Sequence, residues 1–128
     1  MAHPNVDRYR SMMAQGAAPD EAAMREALSE DVRWHEAGNP HAYVGRDAVL
    51  ARLGQMMEGT GGSPQVTFKS VLGDDDSLVA VGHASFDQAG QHLEYDFVEY
   101  YAMADGKVTE RWSFMDAVPG DVAAFFPQ

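Results

Sequence analysis

His92-Leu93-Glu94-Tyr95-Asp96-Phe97-Val98-Glu99-Tyr100-Tyr101-Ala102-Met103 decides how the second half of this chain folds. Leu93, Tyr95, Phe97, Tyr101 and Met103 recur with the period of a strand that buries one face. Glu99 falls on that same face. Rings and hydrocarbon would surround its carboxyl group, and desolvation favours the neutral form there unless a cation pairs with it. A neutral carboxyl donates a hydrogen bond, which makes Glu99 a candidate for holding a substrate oxygen that gains negative charge. The opposite face carries His92, Glu94 and Asp96 and is expected to meet solvent or a partner chain.

Runs of the same period lie on both sides: Val66 to Leu72 and Leu78 to Phe86 before it, Val108 to Met115 after it. Asp74 to Asp76, Gln88 to Gly90 and Asp105-Gly106 separate them in the manner of hairpin turns. Upstream of Pro64 the period is helical. Val6, Tyr9, Met12 and Met13 predict a first helix stopped by Gly16. Pro19 then opens a second, with Ala23, Met24, Ala27 and Leu28 as its buried stripe and its end near Ser29. Val32, Trp34 and Glu36 alternate as a short strand that enters a loop from Ala37 to Val44. Asp47 to Glu58 is the third helix, with Val49, Leu50, Leu53, Met56 and Met57 at helical spacing before Gly59 to Gly62 and Pro64 end it. Pro119 to Phe126 adds one amphipathic turn bearing Val122, Phe125 and Phe126. Helices followed by antiparallel strands predict an α+β fold with helices covering one sheet face. The 128 residues fit one domain, 1–128.

Composition narrows the function. Hydrophobic residues at 45% and charged residues at 23% are ordinary for a globular protein. A net charge of −11 argues against nucleic acid phosphates or an anionic membrane as partners. Without cysteine, disulfides, thiolate metal sites and a Cys nucleophile are excluded. His35, Glu36 and His41 lack the spacing of a ligand set, so no metal is expected. No phosphate loop, dinucleotide fingerprint or nucleophilic serine motif is present, and no cofactor is expected. Met1 to Asp7 lacks the pattern of a secretory leader, and no apolar run approaches the roughly 20 residues that cross a bilayer. The expected location is cytoplasmic.

Three segments resemble one family. Leu28-Ser29-Glu30-Asp31-Val32-Arg33-Trp34-His35, Val44-Gly45-Arg46-Asp47-Ala48-Val49 and Asp105-Gly106-Lys107-Val108-Thr109-Glu110-Arg111-Trp112 look like the SnoaL-like branch of the nuclear transport factor 2-like superfamily. The resemblance implies a cone of three N-terminal helices packed on a curved, mostly antiparallel sheet, and a homodimer. Ketosteroid isomerase is the closest chemical analogy in that fold, and its mechanism is a standard example of divided acid and base roles. By resemblance, Tyr9, seven residues before Gly16, falls on a tyrosine that donates to the substrate oxyanion. Glu36, nine residues before Gly45, falls on the proton-transferring aspartate, and Glu99 on the protonated aspartate of the oxyanion hole. Both acids are one methylene longer than the isomerase residues, enough to disturb a proton-transfer distance.

Each residue also has a structural reading. Tyr9 fits a core aromatic, Glu36 a solvated strand end or a partner of an arginine, and Glu99 a buried pair with Arg111 or a hydrogen bond to Tyr9. Trp34, Phe68, Phe86, Tyr95, Phe97, Tyr101 and Met115 are the expected pocket walls. His83 is expected to face the cavity beside Gly82 and Ala84. His35 and Arg33 should point away from Trp34 and Glu36. Val98, Tyr100, Trp112 and Phe114 are candidates for a homodimer surface. An epoxide hydrolase of this fold would need an arginine flanked by aspartates; Val79 to Phe86 has neither residue, and Ser113 stands where one acid is expected. The resulting expectation is a cofactor-free enzyme, an isomerase or polyketide cyclase, acting on a small hydrophobic carbonyl compound. A non-catalytic binding protein with the same cone is the alternative.

Overall fold

The computed structural model describes residues 3–13, 21–59, 65–88, 90–117, 121 and 124–125. In the first half, helices α1 (Pro4–Met13) and α2 (Glu21–Ala27) precede strands β1 (Leu28–His35) and β2 (Tyr43–Val44), and helix α3 (Arg46–Gly59) follows them. The second half is a meander of β3 (Gln65–Gly73), β4 (Ser77–Gln88), β5 (Gln91–Ala104) and β6 (Lys107–Met115). All six strands form one sheet in the order β2-β1-β6-β5-β4-β3. Every neighbour is antiparallel except β1 and β6, which run parallel with Leu28 opposite Val108 and Trp34 opposite Arg111. This is the expected α+β fold of three helices and a curved, mostly antiparallel sheet.

Period two sorts the long strands. Along β4, Leu78, Ala80, Gly82, Ala84 and Phe86 are buried, whereas their neighbours are more open. Along β5, Leu93, Phe97 and Tyr101 are buried, and Val98 and Tyr100 lie outside. Gly82 is required where β3 and β5 close on β4: a Cβ there would strike the Thr67 carbonyl and come within 2.9 Å of the Phe97 ring. The Asp105-Gly106 turn has both residues at positive φ, 53° and 76°, as a tight two-residue hairpin needs.

α1 starts with Pro4, whose missing N–H costs nothing in a first turn. It buries Asn5, Val6 and Tyr9, and Asn5 Nδ2 donates to the Asp74 carbonyl at 3.0 Å, fixing the helix to the β3–β4 turn. α3 buries Val49 completely, with Leu50 and Leu53 packed against the same core. A smaller cluster of Ala84, Phe86, Leu93, Phe97 and Phe125 fills the other end.

Two boundaries differ from expectation. Leu28 is not the last residue of the helical stripe but the first of β1, because its backbone pairs with β6 and its side chain is buried in the core. Ala23 is exposed, so α2 covers the sheet with Met24 and Ala27 alone. β2, inside the expected loop, is too short to show a period; it exists because Tyr43 and Val44 pair with Trp34 and Arg33. Gly16, Pro19, Thr60 to Pro64 and most of the Pro119 to Phe126 turn lie outside the described residues. Among the described residues no helix is long and apolar enough to cross a membrane.

Candidate functional site

Glu99 sits on the inner face of β5, opposite Ser113 of β6. Both of its oxygens are engaged. Arg111 Nη2 donates to one in a short ion pair, and Tyr101 Oη donates to the other at 3.3 Å. Neither contact asks Glu99 for a proton, because guanidinium has no acceptor. Of the two readings of Glu99, the structure shows the pair with Arg111, the cation that β6 brings to it. Tyr101 spends its proton on Glu99, so Tyr9, 3.3 Å away, donates to Tyr101. Burial, followed by the neighbouring Tyr101 and Glu99, pushes the Tyr9 phenol well above its ordinary pKa, so it stays protonated.

Arg111 is largely withdrawn from solvent, its side chain 12% exposed, and held from several sides. Its Nη1 donates to the His35 carbonyl at 3.2 Å, and its guanidinium carbon lies 4.6 Å from the centroid of the Trp34 ring. Its Nε has no hydrogen-bond partner among the described residues. Burial works against its charge, but Glu99 and then Tyr101 outweigh that and raise its pKa, so it remains a cation.

Glu36 lies just past the end of β1 and meets a second arginine. Arg52 Nε donates to its carboxylate at 3.0 and 3.3 Å, and Nη2 at 3.2 Å. Arg52 is only 4% exposed, one turn after Val49 on α3. Its guanidinium carbon is 5.8 Å from the Tyr43 ring centroid.

A cavity of about 620 Å³ opens between the helices and the sheet, within the range of small-molecule sites. Met12, Met13, Met24, Met56 and Met57 line its helical side, and Phe86, Tyr95, Phe97 and Tyr101 its strand side. Glu99, Arg111 and Ser113 supply its polar end. A second hollow of about 60 Å³ adjoins it, with Glu36 and Arg52 in its wall. Trp34, Leu53, Met56, Tyr95, Arg111 and Ser113 line both.

Of the expected catalytic residues, Glu99 reaches the large cavity and Glu36 the small hollow, whereas Tyr9 stands behind Tyr101 and lines neither. Trp34, Phe86, Tyr95, Phe97 and Tyr101 are walls of the large cavity, and Met115 is a wall of the hollow. Phe68 is displaced from the wall; it packs edge-on between Tyr9 and Phe97 at ring distances of 5.5 and 6.0 Å. His83 does not face the cavity. It alternates with the inward Gly82 and Ala84, so it points outward and bonds Asp96 and Glu94 at 2.9 and 2.7 Å. His35 points outward as expected, stacked on Trp112 at 3.6 Å. Arg52, Ser113 and the methionine wall were missed. Alternation from outward Trp112 and Phe114 already placed Arg111 and Ser113 inside, and helical spacing from Val49 placed Arg52 on the core face.

The sequence profile of the SnoaL-like domain matches residues 6–111. The chain belongs to the SnoaL-like family. Among solved structures, this SnoaL-like chain is similar to a provisionally assigned SnoaL-like polyketide cyclase from Jannaschia sp. CCS1, with 22% identity, a TM-score of 0.78, and coverage of 97% of this chain and 92% of that one. A protein of unknown function with a cystatin-like fold from Xanthomonas campestris aligns over 100% of both chains at 25% identity and a TM-score of 0.82. IdmH from Streptomyces antibioticus, provisionally a polyketide cyclase, aligns at 16% identity and a TM-score of 0.69, over 89% of this chain and 93% of its own. Comparison with curated proteins finds no match. At such identities the likeness to the two cyclases is one of fold.

Proposed function

We propose that this SnoaL-like protein is a cofactor-independent enzyme that moves a proton next to the carbonyl of a small hydrophobic molecule, as an isomerase or a cyclase-like ring-closing enzyme. One observation carries the reading: Glu99 contacts both Tyr101 and Arg111 in the wall of a mostly apolar cavity. Glu99, which lines the larger cavity, is the base. Its carboxylate takes a proton from the carbon beside the carbonyl, the C–H electron pair delocalises onto the carbonyl oxygen, and an enolate forms. Negative charge then passes from Glu99 to the substrate, and the fixed Arg111 cation faces it in both states. Glu99 returns the proton to a different carbon in an isomerisation; in a ring closure the enolate carbon attacks a second carbonyl, whose π pair moves to its oxygen, and that alkoxide takes the proton back from Glu99. Glu36, paired with Arg52 in the adjoining hollow, is the second acid and lies farther from the apolar volume.

Exchange of solvent deuterium into the α-position of 2-tetralone, a small apolar ketone, tests the assignment. Glu99→Gln should slow exchange by about 10²-fold or more, the usual contribution of a positioned base, and Glu36→Gln by less. Equal rates for wild type and Glu99→Gln would remove Glu99 as the base, and a larger loss in Glu36→Gln would transfer the role there. The pairing of both acids with arginines favours a second reading, a binding protein with no free base. Binding of 2-tetralone with no exchange above buffer would select it. Outside the cavity, exposed Val98, Tyr100, Trp112 and Phe114 cluster on the outer sheet face through the pairs Val98–Phe114 and Tyr100–Trp112. A second copy of the chain is the occupant proposed for that face.

A further inference from the structure

The hydroxyl groups around the cavity divide into those already spent and those unspent. Tyr9 and Tyr101 bond one another, and Tyr101 also bonds Glu99. Tyr95 and Ser113 have no hydrogen-bond partner among the described residues, although Ser113 is only 8% exposed and Tyr95 is half-buried. Neither oxygen is sealed from the open volume as the orphaned Arg111 Nε is. Both residues line the large cavity and the adjoining hollow. An idle hydroxyl in a largely apolar wall loses hydrogen bonds it would make in water, and a ligand oxygen restores them.

We infer that the hydroxyls of Tyr95 and Ser113 hold the oxygen atom of the bound ligand, so the site takes a molecule with a carbonyl or hydroxyl oxygen at the end of an apolar body. The inference rests on reading the cavity as the ligand site. Ser113 is the direct cross-strand neighbour of Glu99, so an oxygen anchored there lies beside the proposed base and the Arg111 cation. Tyr95 shares the lining of both volumes with Arg111 and Ser113. Burial raises its pKa most, Glu99 raises it further, Arg111 opposes and Glu36 adds to it, so the phenol stays a donor. Its ring is braced by stacking on Phe86 at 6.0 Å, which leaves the hydroxyl as the part with no structural task. The remaining walls are mostly apolar and, on the helical side, rich in flexible methionine, so they accept bodies of differing outline.

Binding of 2-naphthol and of naphthalene, which share a body and differ by one oxygen, tests the inference without any need for turnover. Wild type should bind 2-naphthol about tenfold or more tightly than naphthalene, on the order of two neutral hydrogen bonds. Tyr95→Phe and Ser113→Ala should each reduce that ratio by about threefold or more, and the double variant should bring it near unity with naphthalene affinity unchanged. Tyr9→Phe removes a spent hydroxyl and should leave the ratio alone. A ratio that survives in the single and double variants overturns the inference. An equal loss of naphthalene binding also overturns it, since the hydroxyls would then only shape the wall. If wild type binds neither probe, the reading of the cavity fails first and this inference with it.

Discussion

β5 carries acids on both faces, and they live by different rules. Inside, Glu99 is 15% exposed, sits between Phe97 and Tyr101, and meets one arginine that is itself only 12% exposed. Outside, Glu94 and Asp96 form an open ladder with His83 and His92: His83 bonds Asp96 and Glu94, and His92 bonds Asp87 and Glu94 at 2.8 and 2.9 Å. Each imidazole presents both nitrogens to carboxylates, which needs the doubly protonated ring. Water screens the outer ladder and leaves it worth little, while the inner pair is nearly all or nothing because either partner alone is a stranded charge. Acids three and five positions apart on one strand therefore differ in what their loss would do.

The largest effect is expected inside. Arg111→Met should destabilise the fold by about 3–5 kcal/mol, the cost of leaving Glu99 buried without its cation. Adding Glu99→Leu should recover most of that loss, since the pair removed together strands no charge. Thermal or urea unfolding of the single and double variants measures this. A double variant no more stable than the single would mean that the cation–π contact of Arg111 with Trp34, and not the ion pair, carries the stability.

The apolar part of the outer face should respond through association. Phe114→Glu, at a side chain 58% exposed, should shift light scattering from twice the 14.0 kDa chain mass towards a single chain and leave the cavity intact. A wild-type mass of one chain at micromolar concentration would end the proposal of a second copy there.

The smallest effect belongs to the ladder and depends on pH. Hydrogen bonds to Asp96 and Glu94 raise the pKa of His83, and bonds to Glu94 and Asp87 raise that of His92. Their stabilising contribution is full below the unfolded histidine pKa, about 6.5, and fades as pH climbs through the raised folded values. Glu94 and Asp96 have lowered pKa values, chiefly through bonds to His92 and His83 respectively, so their share is lost as pH falls through the acid range. Wild type should therefore melt slightly above His83→Gln at about pH 6, and the gap should close by about pH 9 and shrink with added salt. A gap independent of pH would mean that His83 acts through packing.

The fold was legible because β4 and β5 keep period two along their length and the glycines, prolines and Asp-Gly turn mark the breaks of the meander. Leu28 was assigned to the wrong element because its spacing from Met24 suits a helix, and only its pairing with β6, far along the chain, makes it a strand residue. The acid Glu99 stood out as a polar residue in an apolar register. Whether it acts as a neutral donor or pairs with Arg111 stayed open, because Arg111 lies on another strand and the register that brings them together depends on the turn at Asp105 and Gly106 and on a bulge in β6 just after Val108. Arg52 escaped notice because a cation in a helical stripe reads as a surface residue until its carboxylate is known. His83 was drawn inward by its small neighbours, yet Gly82 and Ala84 are small because the inner face is crowded by Phe97, so they mark that face as occupied by others.

The parallel pairing of β1 with β6 governs the order in which this protein can assemble. Its other strand pairs join segments close in sequence and can zip from their turns, but Leu28 and Val108 must find each other across most of the chain. Trp34 arrives with β1 and Arg111 waits on β6, so the guanidinium acquires its aromatic neighbour and the His35 carbonyl only when that closure occurs. The cavity's polar end is thus the last part to become native and the first to disperse when β1 detaches. In native-state hydrogen exchange the amides of β1 should open more readily than those of β4 and β5, and the capacity to hold a ligand should vanish with them while the meander still stands.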